Sequence, residues 1–485
     1  MDGTPAGFRR RIVFFSSLFT IVLAFRLCHS GILWADEDYH IAAGIQILLA
    51  KAPYRDFWYD KPPLNAWLYA AIGAPTSWFL RVFGAAYVLG ICASIFQFAR
   101  QLWGEREGFI AAGLMAFFLT FDLAPAVIPA QPDFFMLLPH VVAVYYAWRG
   151  RAFFAGLWSG VAFLFNPRGI FVLAACAMLS IRSLPLILAG FVVPNAAAVA
   201  VIATTGAWNG YVAQVWRWGL AYANSSPVPD PALNGVRRTL DWLGFHAALV
   251  IGAGLFWAFG GRSEKHRIAA WSLVSFAGVA IGTRFLPRYF LLLLPPLVLA
   301  CARGISALIA SDQFRFRRLL AAMSVLALAV PLLRFGPRYV ELATNLILGR
   351  PENWADVALD RDSRLAAGFI NSQKKPGDTL ITWGYRPGIV VYTRMRVGSL
   401  FWDSQPATGV PADRHLSSSA SIIPAWAASN REALTGSAPD FVADSLSLSN
   451  PALSIERYPE LRKWLHEYDL AGRTKLTLIY RRVKR

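Results

Sequence analysis

Three carboxylates stand together just beyond the first apolar stretch of the chain, in Trp34-Ala35-Asp36-Glu37-Asp38-Tyr39-His40. Charge beside hydrocarbon is unfavourable unless it has a partner or a task, so this cluster is the first candidate for chemistry. The alternative is that Asp36 caps a helix and its neighbours complement the helix dipole. About twenty residues on, Phe57-Trp58-Tyr59-Asp60-Lys61-Pro62-Pro63-Leu64 sets an acid and a base against a stiff diproline; a loop ion pair and a turn is the plain alternative. Asp133 follows Pro132 at the edge of an apolar stretch, where it could also cap a helix. Arg284 and Arg288 precede a Leu-rich run with Pro295-Pro296, as phosphate partners or as interfacial anchors. His40 lies four residues after Asp36, so the two could share a cation on one helix face, although a lone surface His is more often unligated. Arg26 falls inside the first apolar stretch, where structural pairing is expected.

The elements that must hold these residues are set by composition. Of 485 residues, 56% are hydrophobic and 14% aromatic, and the mean hydropathy is +0.43, too apolar for a soluble domain of this size. Apolar stretches of about spanning length recur from Ile12 to Phe335, at 12–33, 81–101, 107–124, 133–148, 152–166, 168–182, 184–204, 241–260, 268–284, 288–303 and 318–335. About eleven spans place the two ends of the chain on opposite faces. The net charge of +18 does not point to nucleic acid, because the basic residues gather in short breaks such as Arg9-Arg10-Arg11, Arg149 and Arg151, and Arg315, Arg317 and Arg318. Those breaks fall at every second turn, which sets the N-terminus in the cytoplasm and the C-terminus outside. No small-x-small cleavage site follows the first stretch, so it is expected to remain as an anchor. The four cysteines all lie in apolar segments, and the outer parts offer no disulfide framework.

Two long outer loops, about 34–80 and 205–240, interrupt the transmembrane region 1–335. In the first, Ile41, Ile45, Leu48 and Leu49 share one helical face while His40 and Gln46 face elsewhere, which predicts a helix lying in the membrane surface. The second is rich in Trp and Tyr, the composition of the headgroup level. Residues 336–485 are mixed and charged, and predict a small extracytoplasmic α/β domain with a helix over 361–372, a strand over 379–383, a helix near 456–468 and a strand near 476–480. The fold class is therefore an all-α polytopic membrane bundle with a small C-terminal α/β domain.

In order and spacing, the acids Asp36 and Glu37 followed by Tyr39, then Pro53-Tyr54-x-Asp56-Phe57, then Lys61-Pro62-Pro63-Leu64 resemble the first outer loop of GT-C membrane glycosyltransferases, among them the aminoarabinose transferases of lipid A and, more distantly, the protein O-mannosyltransferases. Asp133, Arg288-Tyr289 and Trp383-Gly384-Tyr385-Arg386-Pro387 extend the resemblance over nearly the whole chain. It implies an inverting sugar transfer from a polyprenyl-phosphate donor, with Asp36 as catalytic base and Glu37 and Asp133 supporting it. Lys61, Arg288, Arg284 and Arg168, which stands where relatives often show Lys, would meet the donor phosphate. Asp60, Tyr39 and His40 would complete the acceptor side. Where the aminoarabinose transferases have Glu before Lys-Pro-Pro and a downstream His, this chain has Asp60 and no His in the second loop until His246. The resemblance therefore fixes no cofactor, and a divalent metal stays an open alternative.

The activity implied is glycosyl transfer to an envelope glycan, lipid or protein at the outer face of the bacterial inner membrane. A lipid or glycan flippase and a noncatalytic assembly subunit are the rivals. A flippase calls for polar groups at the bilayer midplane, whereas the acids here crowd the outer edge.

Overall fold

The computed structural model describes residues 5–225, 228–259, 261–310, 317–350 and 354–483. It divides into two compact units, the first formed by Met1–Gly31, Thr76–Ala196 and Val228–Glu352, the second by Ile32–Pro75, Ala197–Pro227 and Asn353–Arg485.

The first unit is helical, because apolar segments in lipid must satisfy their backbone groups internally. Its helices include Pro5–Leu27, Ser77–Leu102, Glu105–Phe118, Pro132–Trp148, Ala152–Phe165, Gly169–Leu179, Arg262–Ala280, Leu294–Ala310 and Arg317–Leu348. Each apolar segment of the sequence contains helix, but among the described residues only Ser77–Leu102, Ile181–Thr204 and Arg318–Leu348 are long and apolar enough to cross a membrane on their own. A fourth arises if Pro231–Phe245 and Ala247–Ala258, bent by 86°, count as one span. Other apolar stretches wind as helices too short to meet that length on their own, among them Ala152–Phe165, Gly169–Leu179 and Leu294–Ala310. Glycines let helices meet closely: a Cβ at Gly156 would strike the Ile187 carbonyl, and one at Gly190 the Phe153 carbonyl. Arg26 has the structural pairing expected of it. Its guanidinium donates to the carbonyls of Val127 at 2.7 Å and Ile128 at 2.8 Å and lies 4.9 Å from the Phe134 ring centre.

The second unit gathers the first outer loop, part of the second, and the C-terminal region. Its five-stranded sheet has the order β2-β1-β3-β5-β4, with β1 Thr379–Trp383, β2 Arg396–Val397, β3 Phe441–Asp444, β4 Tyr468–Arg473 and β5 Leu478–Arg482. β2, β1 and β3 run parallel and β5 and β4 antiparallel, with Leu380 opposite Phe441 and Val442 opposite Tyr480. β1 falls on the residues its pattern predicts, and the helix Ala358–Gln373 contains the predicted 361–372. The predicted helix near 456–468 is shorter, Pro459–Leu465, because the chain enters β4 at Tyr468.

The first-loop helix, Ala35–Leu48, departs from expectation. Rather than exposing a polar face, it buries every residue from Glu37 to Gln46. The Gln46 amide donates to the Met395 carbonyl at 3.0 Å and accepts from the Val397 amide at 2.9 Å, so the C-terminal region covers the face that was expected to be wet. Amphipathic spacing reports which face is apolar, not what another part of the chain lays over the polar one.

Candidate active site

In the second unit, Trp34 is the N-cap of the first-loop helix and makes no side-chain cap bond, so Asp36 does not act as the cap. Asp36, Glu37 and Asp38 form the first turn, where the positive end of the helix dipole favours acids. Tyr39, one residue on, is fully buried; its ring stacks on Tyr59 at 5.4 Å and on Trp402 at 5.7 Å, and lies 5.3 Å from Tyr385. Its hydroxyl accepts from the Asp60 amide at 3.2 Å, and His40 Nδ1 is 2.6 Å from the Tyr59 hydroxyl. Lys61 Nζ donates to Asp60 Oδ2 at 2.9 Å, the ion pair the sequence allows.

These residues share one electrostatic environment. Burial pushes the Tyr39 phenol well above its ordinary value, and the charges of Asp60 and Asp403 add to the shift. Tyr385 is raised the same way, by burial first and then by Asp60, Asp36, Asp38 and Asp403. Burial also holds Asp38 well above the usual carboxylate range, reinforced by Asp360 and Glu37. The site is therefore a dry, acid-rich and aromatic cluster, suited to taking a proton and to contacting a sugar.

The segment Trp383-Gly384-Tyr385-Arg386-Pro387 supports this cluster. Gly384 takes φ +120° with Ser445 Oγ where a Cβ would lie, a position only glycine fills. Arg386 pairs with Asp362 at 3.0 Å and donates to Ser363 Oγ at 3.1 Å. The second loop adds Gln214, inside the π-helical turn Val212–Arg217. Its side chain accepts from the Tyr59 amide and donates to the Tyr54 carbonyl, both at 2.8 Å, clamping the first loop on either side of Phe57. Gln214→Leu leaves both backbone groups unpaired in a buried place, at about 1–3 kcal/mol each. We expect the variant to melt several degrees lower and to admit proteolysis within 52–61; an unchanged melting curve would remove the clamp role.

In the first unit, Asp133 lies in the first turn of Pro132–Trp148, after Gln131 as N-cap. It accepts from Asn166 Nδ2 at 3.0 Å and lies between two guanidiniums, Arg168 Nη1 at 3.8 Å and Arg288 Nε at 3.7 Å. Arg168 is stacked 3.3 Å from the Tyr289 ring centre. A buried acid shared by two arginines leaves net positive charge, which suits an anion. Arg284 is buried in a turn whose Thr283 and Phe285 have φ of 60° and 48°.

No group of three or more His, Cys, Asp or Glu among the described residues is arranged to hold a metal. His40 turns its Nδ1 to Tyr59, and His246 stacks on Trp242 at 3.9 Å with Nδ1 on the Trp242 carbonyl. Asp403, Trp402 and Gln214 escape sequence reasoning, since none lies in a motif.

No family model matches the chain, and no curated protein matches it by sequence. Among solved structures it is similar to ArnT from Cupriavidus metallidurans bound to undecaprenyl phosphate, with a TM-score of 0.58 and 15% identity over 98% of both chains. The apo form of that protein matches with the same TM-score and 14% identity over 98% of both chains. The apo oligosaccharyltransferase of Archaeoglobus fulgidus follows with a TM-score of 0.51 and 12% identity, over 94% of this chain and 72% of that one. The chain thus shares the fold of these solved structures along nearly its whole length, and among the described residues it has three helices long and apolar enough to cross a membrane, or four if the bent pair counts as one span.

Proposed function

We propose that this protein transfers a sugar from a polyprenyl-phosphate carrier to an envelope glycan, lipid or protein at the outer face of the bacterial inner membrane. The observation that carries the reading is the likeness, over 98% of both chains, to a structure solved with undecaprenyl phosphate. The acid-rich aromatic cluster and the arginine pair around Asp133 supply groups of the two kinds that such a reaction needs.

In the proposed single displacement, Asp36 takes the proton of an acceptor hydroxyl as its oxygen bonds to the anomeric carbon. The bond from that carbon to the phosphate oxygen breaks, and the electron pair leaves on the carrier phosphate. Cations offset the charge that develops there; Lys61, Arg288, Arg168 and Arg284 are assigned this role. Glu37 and Asp133 support the acids and cations, and Asp60, Tyr39 and His40 shape the acceptor side. The configuration at the anomeric carbon inverts. Glycan profiles of cells carrying the gene, lacking it, or carrying Asp36→Asn test the reading: one envelope species should be lost in the latter two, and three identical profiles would remove the enzyme assignment.

The same reading orients the chain, with about eleven crossings, the N-terminus inside and the C-terminal region outside, supported by basic residues in alternate short breaks. A C-terminal alkaline phosphatase fusion should be active. Activity of a cytoplasmic reporter at that end would overturn this orientation.

A further inference from the structure

The break between the helices Ala152–Phe165 and Gly169–Leu179 is organised around one side chain. A residue ahead of proline is driven out of helical conformation, and Asn166, ahead of Pro167, takes φ −149° and ψ 131°. Its carbonyl accepts from the Gly169 amide at 2.8 Å and its Oδ1 from the Arg168 amide at 3.0 Å, closing a turn of the kind asparagine favours. Its Nδ2 donates to Asp133 Oδ1 at 3.0 Å. The buried Asn166 amide therefore ties a carboxylate on Pro132–Trp148 to the backbone of an arginine in the break. Gly169 lets the two halves close, since a Cβ there would lie 2.3 Å from the Phe163 amide nitrogen.

The Arg168 guanidinium is anchored at one end. Its Nε donates to the Gly278 carbonyl at 3.3 Å, and its carbon lies 3.3 Å from the Tyr289 ring centre. Nη1 stops 3.8 Å from Asp133 Oδ1, the same oxygen that Asn166 holds, and among the described residues neither Nη makes a hydrogen bond. At that distance the charges attract without the directional bond. We propose that Asn166 is a positioning residue for Arg168: its neutral amide fills the place on Asp133 that an Nη would otherwise take, so the planar N–H fork stays open to the donor's phosphate. This rests on the assignment of Arg168 to that phosphate. Without the amide, Arg168 closes on Asp133 in a direct charge-assisted hydrogen bond, which a phosphate must then displace in order to bind.

The test titrates the full chain in detergent with undecaprenyl phosphate, for wild type, Asn166→Ser, Arg168→Gln and the double variant. A serine hydroxyl can still accept from the Arg168 amide but is a bond shorter than the asparagine amide, so the turn is kept and the contact to Asp133 is lost. Asn166→Ser should bind several-fold more weakly than wild type. In the Arg168→Gln background, itself weaker than wild type, the same substitution should change affinity little, because no guanidinium is left to close on Asp133. Asn166→Thr, which suits the extended backbone ahead of Pro167, replaces the serine variant if that one does not fold. Equal losses in both backgrounds would mean that Asn166 only supports the helix break, and would overturn this inference alone. Unaltered affinity of Asn166→Ser beside a weakened Arg168→Gln would do the same. Unaltered binding by Arg168→Gln overturns it together with the assignment of Arg168, and no binding by wild type overturns it together with the polyprenyl-phosphate donor.

Discussion

Asp36→Asn is expected to fold and insert normally and to lose transfer by roughly a hundredfold to ten-thousandfold, the usual contribution of a positioned general base. The amide is nearly isosteric with the carboxylate, so packing in the first turn of Ala35–Leu48 is kept. Because Trp34 rather than Asp36 is the N-cap, no cap bond is lost. The variant gives up a favourable charge at the helix dipole, about 0.3–1 kcal/mol, and Glu37 and Asp38 still occupy the same turn. The chemical loss is different in kind, since an amide cannot take the acceptor's proton. Size-exclusion profile and melting temperature should match wild type while turnover of a polyprenyl-phosphate sugar collapses. Near-normal turnover would falsify Asp36 as the base, and a collapsed melting temperature would return it to a structural role.

The parts of this molecule legible in its sequence are those fixed by local chemistry. Apolar runs marked helices because lipid leaves the backbone no other partner, and Thr379–Trp383 marked a strand by its β-branched and aromatic run after a Pro-Gly turn. Lengths were less legible: at 288–303 the apolar run reads as continuous helix, but Pro287–Leu292 winds as a 3₁₀ turn and the α-helix begins at Leu294. The same turn separates two arginines that composition treats alike, setting Arg288 at Asp133 and leaving Arg284 in a loop. What sequence could not supply was partners far along the chain. Gln46 meets Val397, 351 positions away, and Trp402 meets Trp58, 344 away. Nothing local to Phe401-Trp402-Asp403 announces that Trp402 bonds the Trp58 carbonyl and stacks on Tyr39. Motif reasoning singles out candidates within one segment, and the fold decides which distant groups pack against them.

Neutral replacements of the donor cations should weaken donor binding by roughly tenfold to a hundredfold each, the span of about 1.4–2.8 kcal/mol for losing a charge-assisted contact to phosphate. Arg288→Gln and Lys61→Met keep an unbranched but shorter side chain and remove the charge. For Arg288 the structural cost is limited, because Asp133 retains Arg168 at 3.8 Å and the Asn166 amide at 3.0 Å. Lys61 differs: its own side chain is 40% exposed while Asp60 is 7% exposed, so its removal leaves a buried carboxylate uncompensated. A stability loss is therefore expected in Lys61→Met, and pairing it with Asp60→Asn should restore melting without restoring donor affinity. A role as interfacial anchor predicts the opposite pattern for Arg288→Gln, with reduced stability and unchanged kinetics in the surviving protein. Titration of each purified variant with a polyprenyl-phosphate sugar, alongside acceptor saturation curves, separates these outcomes. Donor affinity should fall while acceptor KM changes little, because the cations are assigned to the leaving phosphate and not to the incoming hydroxyl. Unaltered donor binding in both variants would exclude them from the phosphate site and shift the assignment to Arg168, already stacked on Tyr289 beside Asp133.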